Sequence, residues 1–278
     1  MTNKEPITQT KLFGLDKFIK ELIYLDDFSN LPNKILLSGQ KGIGKSTLAY
    51  HFINYILSKD EKYKYDTNNL EINLDNHSYK TVLNKSNPNL IRIDIGLENK
   101  SIDIDQIRGL ISTLNKSSFN NKPRFVLIDN IEYLNINSVN ALLKVLEEPS
   151  FNVYFILINN NKNILPTLLS RCINFKISLS NKESFEIASK LLNDDLNNII
   201  SKDLINYYFT PGKIYNLVKF GIDNNYDLKK LKLREFLELI IENNHYKKES
   251  LFKHMIFEFI EFYFSQLSSS SYSKFCDK

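Results

Sequence analysis

Gly39-Gln-Lys-Gly-Ile-Gly-Lys45-Ser46 leaves this chain few folds to choose from. The run fits GxxxxGK[ST] at every fixed position, a loop whose backbone N–H groups curl around a phosphate chain. Such a loop belongs between a strand and a helix, because the helix N-terminus adds its positive dipole end to the anion site. Both neighbours are present. Lys34-Ile-Leu-Leu-Ser38 reads as a buried strand, and Thr47-Leu-Ala-Tyr-His-Phe-Ile-Asn-Tyr-Ile-Leu57 reads as a helix. Gly39, Gly42 and Gly44 then supply backbone freedom, and Lys45 reaches the β- and γ-phosphates. The Ser46 hydroxyl ligates Mg²⁺, and Thr47 completes the nucleotide-binding set. The alternative is a glycine-rich turn that binds nothing.

The rest of the first half repeats the strand-then-helix rhythm. Residues 10–30 read as a helix around Phe18, Ile19, Leu22 and Ile23, and residues 59–88 as an irregular, polar excursion with a turn at Asn87-Pro88-Asn89. Leu90 to Ile95 is a strand candidate, and Ile104, Ile107, Leu110, Ile111 and Leu114 recur at helical spacing. Arg124-Phe-Val-Leu-Ile-Asp129 is a buried strand with an acid at its tip. Asn137 and Ser138 are the expected caps of a helix that Pro149 ends. Val153 to Ile158 is another strand, followed by a short helix near Pro166–Leu169 and a last strand at Ile173 to Ile177. Alternation of this kind means an α/β parallel sheet with helices on both faces, where ligands sit outside the strand C-termini. Ser46 and Asp129 both fall there.

Beyond Ser178 the strand signal stops. Stretches 181–192, 195–206, 212–222, 227–243 and 249–267 read as helices, and the Ser-rich tail over 268–278 as frayed. The expected organisation is an α/β domain over 1–178, a small helical domain over 179–222 and a terminal helical domain over 223–278.

Composition narrows the class by exclusion. At 278 residues and 42% apolar, the chain is long enough for two or three small domains. No apolar run reaches bilayer length, and the N-terminus has no signal-peptide core, so no membrane and a cytoplasmic location are expected. Two cysteines, Cys172 and Cys276, are too few for a disulfide scaffold or a four-thiolate zinc site. A net charge of +4 permits nucleic-acid contact without arguing for it. Lys116, Lys122 and Arg124 are candidate phosphate contacts in a DNA-binding module, but three scattered cations read more simply as a solvated basic face.

Three further positions bear on chemistry. Asp129, at a strand tip, is placed to hold Mg²⁺ together with Ser46. The next residue is Asn130, and an amide can orient water but cannot take its proton. Glu132 is a weak candidate for a replacement base; a surface carboxylate is the plainer reading. Arg171, in Ser170-Arg171-Cys172, sits near the end of the α/β domain, where an arginine can reach a nucleotide in a neighbouring subunit. Cys172 reads as a small buried apolar residue.

Together these residues resemble the clamp-loader branch of the AAA+ ATPases, specifically bacterial DNA polymerase III subunits. Asn140-Ala-Leu-Leu-Lys-Val-Leu-Glu-Glu-Pro149 is similar to that family's NALLKxLEEP segment, Leu168-Leu-Ser-Arg-Cys172 to its SRC motif, and Leu12-Phe-Gly14 to its entry motif. The likeness covers roughly residues 10–178. It implies a subunit of a five-membered complex with gamma/tau and delta that places a sliding clamp on primed DNA, as part of the polymerase III holoenzyme. It implies ATP or ADP with Mg²⁺ at the loop, a helical collar in the terminal domain, Arg171 as a trans-acting arginine finger and Asn159, or its neighbour Asn160, as the γ-phosphate sensor. Of the two subunit types that share these motifs, the gamma/tau motor carries an Asp-Glu pair where this chain has Asp129-Asn130. It also carries an arginine where Tyr215 stands in Pro211-Gly-Lys-Ile-Tyr215. Both departures, and the short length, point to a delta-prime-like subunit with weak or absent ATPase of its own. A gamma/tau-like motor is the alternative. The family's four-cysteine zinc module has no counterpart, since residues 59–88 lack cysteine, so no zinc is expected.

Overall fold

The computed structural model describes residues 5–95, 101–116, 120–205, 209–248 and 255–267. Cys276 and the tail expected to fray over 268–278 lie outside the described residues. The chain forms two compact units that divide between Leu179 and Ser180.

The first unit is built on β1 (Lys34–Ser38), β2 (Leu90–Ile93), β3 (Arg124–Ile128), β4 (Val153–Asn159) and β5 (Ile173–Lys176). They form one sheet in the order β2-β3-β4-β1-β5, every neighbouring pair parallel. This is the α/β parallel sheet with helices on both faces that the sequence predicts. Successive side chains in a strand point to opposite faces, so an apolar run feeds two cores at once. Ile35, Leu37, Phe125, Leu127, Ile156 and Ile158 pack on one side with Phe18, Ile19, Leu22, Leu48 and Phe52. Those partners come from α1 (Asp16–Asp27) and α2 (Lys45–Leu57). Leu36, Val126, Ile128, Phe155 and Leu157 pack on the other side with Ile107, Leu110, Leu142 and Leu146.

The segment expected to be irregular contains a helix, α3 (His77–Leu83). Its start is polar rather than apolar, which hides it from a hydrophobic pattern. Asn76 caps it by accepting from the Tyr79 N–H at 2.7 Å, and the same buried amide donates to the Tyr63 carbonyl and accepts from Asn54. On the opposite face, α4 (Ile104–Leu114) starts with a reciprocal Asp103–Gln106 capping box. Its last carbonyls, of Thr113 and Leu114, accept from the Arg124 guanidinium at 2.7 and 3.2 Å. The helix expected to be capped by Asn137 or Ser138 is α5 (Ile136–Glu147), and its cap is Asn135, which accepts from the Ser138 N–H at 2.9 Å. Ser138 is buried and donates to the Ile102 carbonyl instead. The short helix α6 is Pro166–Leu169.

Among its described residues the second unit holds helices joined by turns and no strand. Ser180 and Glu183 form a capping box for α7 (Asn181–Leu192). The expected helix over 195–206 is α8 (Leu196–Ile199) followed by a 3₁₀ turn, Lys202–Leu204. Then come α9 (Pro211–Asp223), α10 (Leu233–Glu242), shorter than expected because 227–232 turns, α11 (His245–Lys248) and a helical stretch over 255–267. One hydrophobic core joins Ala188, Leu204, Ile214, Leu217, Phe236, Ile240 and Phe259, so residues on both sides of 222 share it. No described helix is long and apolar enough to cross a membrane.

Candidate functional site

The phosphate loop bridges the C-terminal end of β1 and the first turn of α2. Gly39, Gly42 and Gly44 all have positive φ, at 151°, 87° and 100°. At Gly39 an added Cβ would lie 2.3 Å from the Ile177 carbonyl oxygen, and at Gly44 it would meet the Leu15 side chain at 3.0 Å. Leu15 follows the Leu12-Phe-Gly14 entry segment, so that segment braces the loop. Lys45 is almost fully buried, and its ammonium donates to the carbonyls of Gly39 and Gln40 at 2.8 and 2.7 Å. Burial pulls its pKa down to about 8, against the nearby charges of Asp129 and Glu132, which raise it. Ser46 donates to Asp129 Oδ2 at 2.5 Å. Burial raises the Asp129 pKa in spite of that hydrogen bond. Thr47 is partly buried in the first turn of α2.

This donor set fits a nucleotide with Mg²⁺. The three positive-φ glycines give the loop the backbone path of an anion-binding turn, Lys45 offers a buried cation, and the Ser46–Asp129 pair offers two hard oxygens as a divalent cation prefers. Among the described residues no group of three or more His, Cys, Asp or Glu is arranged to hold a metal ion.

Past Asp129 the chain reverses. Asn130 is left-handed at φ 57°, and Ile131–Tyr133 form a 3₁₀ turn. Asn130 donates through its amide to Asp94 beyond β2 at 2.7 Å. The two sensor candidates part company. Asn159 turns into its own loop, donating to the Lys162 carbonyl and accepting from the Lys162 N–H. Asn160 instead donates to Asn130 Oδ1 at 2.7 Å and to Glu132 Oε1 at 3.0 Å. Asn160 and Glu132 thus join the cluster through their side chains, whereas Asn159 meets the loop through its backbone carbonyl, which accepts from the Gly39 N–H at 3.3 Å. A cleft of about 670 Å³ runs from Asp129 along the open edge of β2 past Arg92 to Lys85 and Lys116.

Arg171 lies apart from this cluster, just after α6. It is partly exposed and pairs with Glu147, the last residue of α5, through its Nε at 3.1 Å and its Nη2. Its Nη1 donates to the Thr167 carbonyl at 2.8 Å. Glu147 is a member of the Asn140–Pro149 segment, so that segment and the Ser-Arg-Cys motif meet in space. Burial pushes the Cys172 thiol up to about 11, which leaves it protonated and unreactive at neutral pH. Tyr215 is buried in the core of the second unit. Of the three cations considered for nucleic acid, Arg124 closes α4, and Lys122 donates to the Leu57 carbonyl and pairs with Glu61. Sequence reasoning named Asn160 only as an alternative sensor and missed its partners as well as Glu147 and Asp94, because the residues they meet lie 24 to 36 positions away.

Residues 16–181 match the family model described as DNA polymerase III, delta subunit. The DNA polymerase III subunit delta' of Buchnera aphidicola subsp. Baizongia pistaciae is 30% identical over 55% of this chain and 46% of its own length. The DNA polymerase III subunit gamma of Buchnera aphidicola subsp. Schizaphis graminum is 27% identical over 69% of this chain and 51% of its own. The chain thus spans about half the length of these curated relatives. Among solved structures, the RuvB Holliday junction branch migration motor of Thermotoga maritima aligns at 18% identity with a TM-score of 0.48, over 87% of this chain and 81% of that one.

Proposed function

Starting from a chain that belongs to the DNA polymerase III, delta subunit family, within the clamp-loader branch of the AAA+ proteins, we propose that it is a delta-prime-like subunit of a clamp loader. In this reading the chain assembles with gamma/tau-like and delta-like subunits, and the complex places a sliding clamp on primed DNA. The loop at Gly39–Ser46 holds ATP or ADP with Mg²⁺ between Ser46 and Asp129, chiefly to fix the shape of the domain. Arg171 completes the ATP site of a neighbour, where a cation beside the transferring phosphoryl group stabilises the charge that develops there. Within the helical unit the residues before 222 act as a lid and those after it as the collar.

The observation that carries the reading is Asn130. The residue after the metal-side acid is an amide, held by donating to Asp94 and accepting from Asn160. A site so built binds a triphosphate better than it hydrolyses one, which suits a subunit whose catalytic contribution is made next door. The alternative, a gamma/tau-like motor, requires fast turnover in the chain's own site.

The test is reconstitution with the gamma-like chain of the same source. A stoichiometric complex should form, and Arg171→Ala should leave assembly intact while lowering turnover at the site it serves by roughly 10³-fold. Unchanged turnover sinks the finger role. Fast hydrolysis by the isolated chain, abolished by Lys45→Ala, supports the motor instead.

A further inference from the structure

We propose that Glu132 is the proton acceptor for slow hydrolysis of a nucleoside triphosphate in this chain's own loop, standing in for the carboxylate missing at position 130. The inference rests on the nucleotide part of the reading above. Three observations converge on it.

The first is direction. The left-handed Asn130 turns the chain at the tip of β3, and the Asn130 and Glu132 side chains then meet at Asn160. Asn130 donates to Asp94 beyond β2 and accepts from Asn160 Nδ2. Glu132 reaches this first residue beyond β4, where its Oε1 accepts from Asn160 Nδ2 at 3.0 Å and its Oε2 from the Asn160 backbone N–H at 3.3 Å. In the sheet, β4 lies between β3, which carries Asp129, and β1, which carries the loop. The Glu132 carboxylate therefore sits at the strand ends between the metal-side acid and the phosphate loop.

The second is continuity. A single string of hydrogen bonds runs from Ser46 to Asp129, from Asp129 to the Asn130 backbone, from the Asn130 amide to Asn160 and from Asn160 to Glu132, with lengths of 2.5, 2.8, 2.7 and 3.0 Å. Two donors of Asn160 fix the carboxylate, and each oxygen keeps lone pairs for a water. The third is charge. Glu132 acts on the Lys45 ammonium, along with Asp129, so it lies within electrostatic reach of the residue that would hold the terminal phosphates.

The step balances with water and a nucleoside triphosphate as the reactants. The Glu132 carboxylate takes one proton from water while the water oxygen bonds to the γ-phosphorus. The bond from that phosphorus to the β–γ bridging oxygen breaks, its electron pair leaves on the diphosphate, and Glu132 later returns its proton to solvent. Asn160 orients the carboxylate and is a positioning residue.

The experiment uses the full chain with ATP and Mg²⁺ and reads three things: affinity for a fluorescent ATP analogue, single-turnover hydrolysis, and the identity of the nucleotide retained after gel filtration. Glu132→Gln should keep affinity and melting temperature and slow hydrolysis by about 10²-fold or more. The wild type should emerge holding ADP, and E132Q holding ATP. Glu132→Asp should recover part of the rate, which loss of a merely structural hydrogen bond would not explain. ATP that binds but is hydrolysed equally well by wild type and E132Q, or not at all by the wild type, overturns the role of Glu132 and leaves the nucleotide reading standing. Failure of the wild type to bind ATP overturns both.

Discussion

Acidification should destabilise the first unit through one residue, His51. The ring is fully buried on α2, between the Tyr65 hydroxyl at 3.0 Å from Nδ1 and the Gln9 carbonyl at 3.0 Å from Nε2. A carbonyl only accepts, so Nε2 carries the proton and Nδ1 accepts from Tyr65. Burial lowers the His51 pKa from 6.5 to about 4. A folded-state pKa below the unfolded value means that the unfolded chain takes up the proton first as pH falls. Stability is therefore full above about pH 6.5 and is lost progressively down to about pH 4. At 1.36 kcal/mol per unit, the whole span corresponds to about 3 kcal/mol, of which about 2 is gone by pH 5. The assay is urea unfolding of the wild type and His51→Gln between pH 7.5 and 5. Glutamine keeps a donor and an acceptor but no titration. Taking the difference between the two proteins at each pH cancels the other titrating groups. That difference should shift in favour of the variant by about 2 kcal/mol across the range. Parallel curves would refute the reasoning.

Two further outcomes follow from the geometry. Gly39→Ala sets a Cβ 2.3 Å from the Ile177 carbonyl at φ 151°, so it should cost about 1–3 kcal/mol by overpacking alone, read as a lower melting temperature together with loss of ATP binding. Asn76→Ala removes the α3 cap and the partner of the buried Asn54 amide; chemical denaturation should show a loss of about 2 kcal/mol, and a loss under about 0.5 kcal/mol would mean that water replaces both bonds.

Much of the α/β half was legible because its signals are local. Three apolar residues, Ile35 to Leu37, just before a glycine-rich loop mark β1, and the helical spacing from Ile104 to Leu114 marks α4. What stayed hidden depends on partners distant in sequence. Asn76 starts a helix only because Asn54 and the Tyr63 carbonyl complete its bonding. In a chain so rich in asparagine, nothing local separates Asn159, folded into its own loop, from Asn160, drawn to Asn130 and Glu132. Arg124 looked like a surface cation, yet its planar fork matches three carbonyls at the end of α4, a fit visible only once β3 lies beside that helix.

The pairing of Arg171 with Glu147 gives α5 a mechanical meaning. The helix follows directly on the turn that carries Glu132, and it ends at the carboxylate that holds the outward-facing arginine. Its 12 residues make a strut about 18 Å long. A displacement of its first turn by events at the chain's own loop arrives at Glu147 as a change in the grip on Arg171. The strut also works in reverse. By the same linkage, whatever draws Arg171 away from Glu147 acts on the far end of α5 and, through it, on the turn that carries Glu132.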